Sequence, residues 1–422
     1  ASPVRKPVRS LDVGKPAFPD HVIPFYGASK TLKTQCLYEE DRDSSGCLRE
    51  RDVILSLVGQ EGDVSSTLLN IVYLASFIFF MVYGQKFQTW LMLRDVGNAV
   101  FKLKVMRDKA RGLVISTAKE GEKGNLDPTP RIDHFLEYFS IWPASLDPGG
   151  IVPKFEHLLD VRDQRFKDEV KIISPSVNNV QANNLEGVLE VAISLNTIYR
   201  IINHFYLLGK KTMSLYVIMQ IQMQLPIIME MAEAYSTAIK AFADGQPIGD
   251  GAGAIVAAKL MHGVPYKPIS KEIVVAETQF DGRKLLVLKA EGPGSSVGKP
   301  GDAIKQLIEE ERGRVAMVVM IDAAGKLEGE TSGGVSEGSG AAIGGIGVEQ
   351  FTIEEISMKY KVPVHAVIIK ESMEESVSPM TKDILEGTDV AVARVKRIIR
   401  EGTAEGDTVI VAGIGNTVGV GQ

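Results

Sequence analysis

The sequence predicts an α/β protein with an all-α middle region: a single N-terminal transmembrane helix, a helical bundle, then a mixed α/β sheet domain. Three observations carry that reading. Residues 68–83 hold no charged side chain, and widened to 65–84 the run reaches roughly twenty residues, the length that crosses a bilayer as a helix. Residues 185–208 and 213–242 are long helical patterns joined at Gly209-Lys-Lys211, which reads as a helical hairpin. From Lys271 onward short apolar runs alternate with helical ones, the mark of an α/β domain.

Residues 1–63 are rich in proline and short charged clusters and are expected to be an extracytoplasmic or disordered leader. As an extracytoplasmic tail they would hold Cys36 and Cys47 as a pair. Both cysteines of the chain lie there, so disulfide and thiolate-metal chemistry is excluded from the body. The 65–84 segment lacks the polar stripe of a soluble core helix and lies too far along the chain for a cleaved signal peptide. Tyr73 and Tyr83 suit the two interfaces. Downstream stand Lys86, Arg94, Lys102, Lys104, Arg107, Lys109 and Arg111, whereas upstream Arg49 and Arg51 are offset by acids. The positive-inside rule then puts the body in the cytoplasm, on a single-pass protein of the cytoplasmic membrane.

Residues 85–130 read as a juxtamembrane amphipathic helix and linker. Trp90, Leu93, Val96, Val100 and Leu103 share one face, which would rest on anionic lipid or on a second copy in a homo-oligomer. A breaker-rich connector closes this module. Residues 131–262 read as a helical domain. Gln220, Gln222, Gln224, Glu230 and Pro226 make its last long helix a kinked core helix, not a second span. Residues 270–422 read as the α/β glycine-loop domain. Strands 272–280 and 284–290 flank the turn signal Asp281-Gly282. Helices at 302–312, 353–360 and 390–400 and strands at 315–321, 364–369 and 408–412 complete it.

A net charge of -6 does not point to a nucleic-acid partner, and a hydrophobic fraction of 45% is ordinary for a globular chain, against a multi-span transporter. Four glycine-rich loops mark the C-terminal half: 249–253, 292–301, 329–347 and 413–421. Glycines let backbone amides approach a ligand, and helix N-termini favour anions. Asp250, Gly251, Gly253, Gly294, Ser295, Ser296, Gly298, Gly415, Asn416 and Thr417 are therefore candidate ligand-binding residues, with Lys299 as the counter-charge. Pro293 and Pro300 break the P-loop pattern around Gly298-Lys299. Gly334-Val-Ser-Glu-Gly338 matches a nucleophile elbow only literally, because glycines and serines flank it on both sides. Asp322, Glu328 and Glu330 are the candidate metal ligands, suited to a hard cation such as Mg²⁺. Scattered single histidines disfavour transition-metal sites.

From about residue 64 to the end, the chain resembles the archaeal membrane-protein family called domain of unknown function (DUF1512). The span, Gly249-Asp-Gly-Ala-Gly-Ala-Ile-Val256, Gly292-Pro-Gly-Ser-Ser-Val-Gly-Lys-Pro-Gly301, Glu328-Gly-Glu330 and Gly413-Ile-Gly-Asn-Thr-Val-Gly419 carry the likeness. It implies an architecture and a membrane location and brings no activity. Glu405-Gly-Asp-Thr-Val-Ile-Val-Ala-Gly413 is distantly similar to the C-terminal domain of pyruvate kinases, an analogy of fold and anion binding alone. The expectation is a single-span protein whose cytosolic domain binds a phosphorylated or otherwise anionic small molecule. The alternatives are a non-catalytic assembly protein and an enzyme of metal-assisted phosphoryl or glycosyl transfer.

Overall fold

A computed structural model of the chain describes residues 64–120, 127–144 and 150–422. The expected leader with Cys36 and Cys47, and parts of the connectors at 121–126 and 145–149, lie outside the described residues. The chain divides into two units, Ala1–Val72 and Tyr73–Gln422. In the first unit the described part is the opening of helix α1 (Val64–Glu120), where Leu68, Leu69, Ile71 and Val72 are exposed.

In the second unit α1 continues with its apolar side chains uncovered. Tyr73, Phe77 and Phe80 are 75%, 65% and 76% exposed, so no core receives them. By length and composition α1 could cross a membrane, and so could α5 (Leu215–Asp244). From Thr89 onward the same helix turns inward. Val96, Leu103, Val114 and Ala118 are buried in a bundle core. The core is shared with α2 (Thr129–Phe135), α3 (Ile151–Ile173), α4 (Asn179–Thr212) and α5. On the face expected to lie on lipid or a second copy, Val96, Val100 and Leu103 are therefore core, while Leu93 is half-buried and Trp90 exposed. Its periodicity is met within the chain: Gly97 lets the Tyr206 ring approach, and Arg107 stacks over Tyr199 at 4.4 Å.

The hairpin of α4 and α5 forms as its sequence suggests. Asn178 accepts from the Gln181 amide while the Gln181 side chain reaches back, a capping box. Gly245 closes α5 at φ 63°, a left-handed C-cap that glycine adopts without strain. Pro226 sits inside α5, whose Ile218, Ile221, Ile228 and Ala232 are buried as in a core helix.

A 3₁₀ turn (Gly249–Gly251) leads into α6 (Ala252–Met261). Expected as the tail of the helical domain, α6 packs on the sheet instead, because alanine and glycine at half of its positions allow close backbone contact. Among the described residues there is one seven-stranded sheet, ordered β1-β2-β3-β7-β4-β6-β5. Its strands are β1 (Tyr266–Ser270), β2 (Ile273–Phe280), β3 (Arg283–Ala290), β4 (Val315–Gly325), β5 (Val335–Ser339), β6 (Val364–Glu371) and β7 (Thr408–Gly413). The β2–β3 hairpin closes at Phe280↔Arg283, with Asp281 and Gly282 at φ 47° and 75° as a tight two-residue turn requires. β3, β7, β4 and β6 run parallel. β5 falls inside the glycine-rich stretch and pairs antiparallel to β6 at the edge, so Gly334–Gly338 forms no elbow.

Helices α7 (Pro300–Glu310) and α8 (Val348–Tyr360) cover one face of the sheet. Helices α6 and α10 (Lys382–Gly402) cover the other, and the five-residue α9 (Met373–Val377) follows β6. From β3 the chain moves outward through α7 to β4 and through α8 to β6, then returns through α10 to β7, between β3 and β4. The crevice outside the carboxyl ends of strands at such a reversal is the usual ligand position of open α/β sheets. Here it is closely packed. A Cβ on Gly253 would overlap the carbonyl oxygens of Ile321 and Ile414, both backbone atoms. We expect Gly253→Ala to destabilise the chain by about 3 kcal/mol, read by denaturant unfolding in detergent. Gly112→Ala, on exposed α1 with nothing near its Cβ, should instead gain about 0.5–1 kcal/mol.

Candidate functional site

Three of the four glycine loops meet at the carboxyl ends of β3, β7 and β4. Thr417 joins them: fully buried, its hydroxyl lies 2.9, 3.1 and 3.2 Å from the carbonyl oxygens of Gly294, Ser296 and Glu291. Its amide donates to the Ser296 carbonyl, and the Gly419 amide to that of Pro293. Asn416 donates its side-chain amide to Ser295 Oγ at 3.0 Å, and the Ser295 amide donates to Asn184 Oδ1 on α4. Glycine is required where these loops touch. A Cβ on Gly415 would overlap the Asp250 carbonyl, and one on Gly251 would lie 2.8 Å from the Asn416 carbonyl.

The candidate ligand-binding residues are thus brought together, but largely onto each other. Asp250 accepts from the Asn416 amide at 2.8 Å, so that amide of the turn after β7 is already taken by a carboxyl of the chain itself. Ser296 donates to Glu272 Oε2 at 2.6 Å, and Gly298, at φ 63°, lies against the Glu272 carbonyl. Lys299, expected as the counter-charge, is bound by Asp160 at 2.9 Å and lies 3.5 Å from Glu156, both on α3. The fourth loop follows the sheet edge, where Ala341, Ala342 and Ile343 pack on the core, and its Gly344 amide donates to Asp322.

The proposed metal ligands are not assembled. Asp322 is buried, Glu328 is exposed, and Glu330 is held by Lys370 and the Leu327 amide. Among the described residues no group of three or more His, Cys, Asp or Glu side chains is placed to hold a metal ion. The physical reason is that Asp322 points inside while the chain after Gly325 leaves the sheet, where Lys370 captures Glu330.

Asp322 has a different set of neighbours. Burial, reinforced by Asp250, pushes its carboxyl up to about 8. Glu371, at the end of β6, is pushed up to about 9 by burial and by Asp250, Glu375 and Asp322. Its Oε2 is buried without a hydrogen-bond partner and faces Gly249. Burial also raises Asp250, against the Asn416 amide that lowers it. The three carboxyls cannot all ionise in so dry a place, and protons are retained on the cluster at neutral pH. On the other side of the loops, fully buried Lys289 donates to the Ala290 carbonyl at 3.0 Å, and burial brings its ammonium down to about 8.

Open space lies beside the loop after β3. A cleft of about 350 Å³ is lined by Lys167, Lys171, Asn179, Asn183, Glu186, Glu272 and Glu291 with Gly292 and Gly294. Lys167 pairs with Glu272, which also receives Ser296. Burial pushes Glu186 up to about 7, with Glu190 adding to it, and burial lowers Lys167. Of this lining only Gly294 stood among the sequence candidates. Glu371 and Lys289 were missed as well, although a lone charge within an otherwise apolar strand, as at Leu-Val-Leu-Lys289-Ala290, is a readable signal.

These features define a helical bundle with an uncovered apolar helix, joined to a three-layer α/β domain whose glycine loops interlock. Family models match in the same order: the N-terminal domain of a protein of unknown function (DUF1512) over residues 70–245, and the C-terminal domain of that family over residues 248–421. The chain belongs to this family. No curated protein and no solved structure matches it.

The acid cluster makes stability depend on pH in a definite direction. Asp322 and Glu371 ordinarily ionise at 3.8 and 4.5 but hold their protons to about 8 and about 9 when folded. The folded state therefore binds more protons between those limits. The associated stability is fully present below about 4 and is lost as pH rises through 8 to 9, by up to about 1.4 kcal/mol per pH unit for each proton retained. Unfolding midpoints measured from pH 5 to 8 should fall, and Asp322→Asn with Glu371→Gln should flatten the slope. An unchanged slope in the double variant would rule out this origin.

Proposed function

We propose that this is a single-pass protein of the cytoplasmic membrane, with its body on the cytoplasmic side, that binds a small anionic molecule also bearing hydroxyl or amine groups. The observation that carries the ligand reading is the cleft beside Gly292 and Gly294. Its volume of about 350 Å³ falls at the low end of small-molecule sites. Lys171 and the main chain of Gly292 and Gly294 suit the anionic group, a carboxylate or phosphate, while Lys167 is already paired with Glu272. Asn179 and Asn183 offer both donors and acceptors, and Glu186 and Glu291 would accept from hydroxyl or amine groups. The membrane reading is supported by the uncovered apolar side chains of α1 and by the basic excess that follows them.

This moves the anion away from Lys299, whose charge is already matched on α3. The test is thermal unfolding of the full chain in detergent against nucleotides, sugar phosphates and amino acids. A ligand at one hundred times its Kd should raise the midpoint by roughly 5 °C. Lys171→Ala and Asn183→Ala should remove that shift, while Lys299→Ala should lower the unliganded midpoint and keep the shift. Absence of any shift across the panel sinks the ligand reading.

A further inference from the structure

The loop between α4 and α5 is the part of the bundle nearest to the uncovered stretch of α1. Three contacts fix the register. Arg107 stacks over Tyr199, Gly97 faces Tyr206, and Gly209 faces Ile218 and Leu93, the latter 3.7 Å from where a Cβ would stand. As α4 advances, its partners on α1 step back, so the two helices run antiparallel and the hairpin tip falls level with about Thr89. Burial agrees, because Thr89 is the first of the α1 residues whose side chains are described to be buried, at 3% exposed. From Gly84, where the apolar run ends, to that level is about 8 Å at 1.5 Å per residue. That depth is comparable with the headgroup layer on one side of a bilayer.

The tip is built for such a layer. Leu207, Met213, Tyr216 and Met219 are 53%, 50%, 67% and 42% exposed, a density of bare apolar surface that a water-facing turn does not need. Lys210 and Lys211 stand exposed beside them. On α1 at the same level Phe87 and Trp90 are exposed, and Arg94 lies over the Trp90 ring. Aromatic rings with lysine and arginine beside an apolar core are the usual interfacial arrangement. Met213 closes α4 in the left-handed conformation, which turns the chain sharply and sets Tyr216 one turn beyond it.

We propose that the α4–α5 tip is a second membrane contact, dipping into the headgroups of the leaflet that faces the body. Met213 and Tyr216 enter the interface, and Lys210 and Lys211 meet anionic lipid. The bundle is thereby held in one orientation to the bilayer, instead of swinging from a single helix. This rests on the transmembrane reading of α1, and the two can fail separately.

The full chain, with Cys36→Ser and Cys47→Ser, is reconstituted in phosphatidylcholine vesicles with or without phosphatidylglycerol. Met213→Cys, Tyr216→Cys or, as control, Met358→Cys on α8 carries an environment-sensitive dye. Met358 is 76% exposed and lies on the sheet domain. Emission from positions 213 and 216 should shift to the blue and be quenched by shallow spin-labelled lipid at least about twofold more than at 358. Lys210→Glu with Lys211→Glu should reduce that excess only in the anionic vesicles. Dye signals at 213 and 216 equal to that at 358, in a chain that resists alkaline extraction, overturn the tip contact and leave the span standing. Release by alkaline extraction overturns both. Disulfide formation between two copies at position 216, with no quenching by lipid, overturns the lipid contact in favour of a second copy.

Discussion

The structure depends on how the carboxyl ends of its parallel strands are satisfied. The ends of β3 and β7 lie side by side and buried, with Ala290 and Ala412 at 2% and 0% exposed, while β4 and β6 run on beyond them. Thr417 answers most of that demand: its hydroxyl and amide engage the loop after β3 while its own segment continues β7. Glycine makes the answer possible, because Gly253, Gly292 and Gly415 each stand where a Cβ would strike a backbone oxygen. Buried polar groups left without partners would cost about 1–3 kcal/mol apiece, so the loops gain as much from pairing each other as from any ligand.

That interlock explains why the residues that look like a phosphate cradle do not present one. An anion site needs amides that point outward and a cation with no other partner. The amide of Asn416 points at Asp250, and Lys299 is paired across to α3. The same packing excludes water from Asp322 and Glu371, which then hold protons that solvent would have taken. Polar space survives beside this interlock, between α3, α4 and the loop at Gly292.

Local signals in the sequence reached as far as local forces govern. Asp281-Gly282 named its hairpin because only a few residue types accept two successive left-handed positions, and both are used. The strands of the parallel core were legible as apolar runs since both faces are covered. β5 was not, because Val335–Ser339 carries little side-chain pattern and is held as a strand by β6. α3 falls within the region expected to be helical without being singled out, and several of its charges serve as partners: Asp160 for Lys299, Lys167 for Glu272 and Glu169 for Arg131. A site assembled from helices and loops more than a hundred positions apart leaves no spacing to read. The amphipathic face of α1 was read correctly as a face. Its partner was the chain itself, a choice that only tertiary packing makes.

Helix α4 ties the two functional readings together and constrains the ligand. Its N-terminal turns supply Asn179, Asn183 and Glu186 to the cleft, while Gly209 near its other end lies against Leu93 of α1. The twenty-six residues between Asn183 and Gly209 span about 39 Å of helix. With the tip of the hairpin at the lipid surface, the cleft stands beyond the reach of a headgroup or an acyl chain. On the proposed reading a molecule that fills it would arrive from the aqueous phase, and the membrane would station the protein without delivering a ligand. The lining combines charged Lys171, Glu186 and Glu291 with apolar Val170, Val180 and Ala182, which suits a molecule carrying polar groups on a short carbon frame.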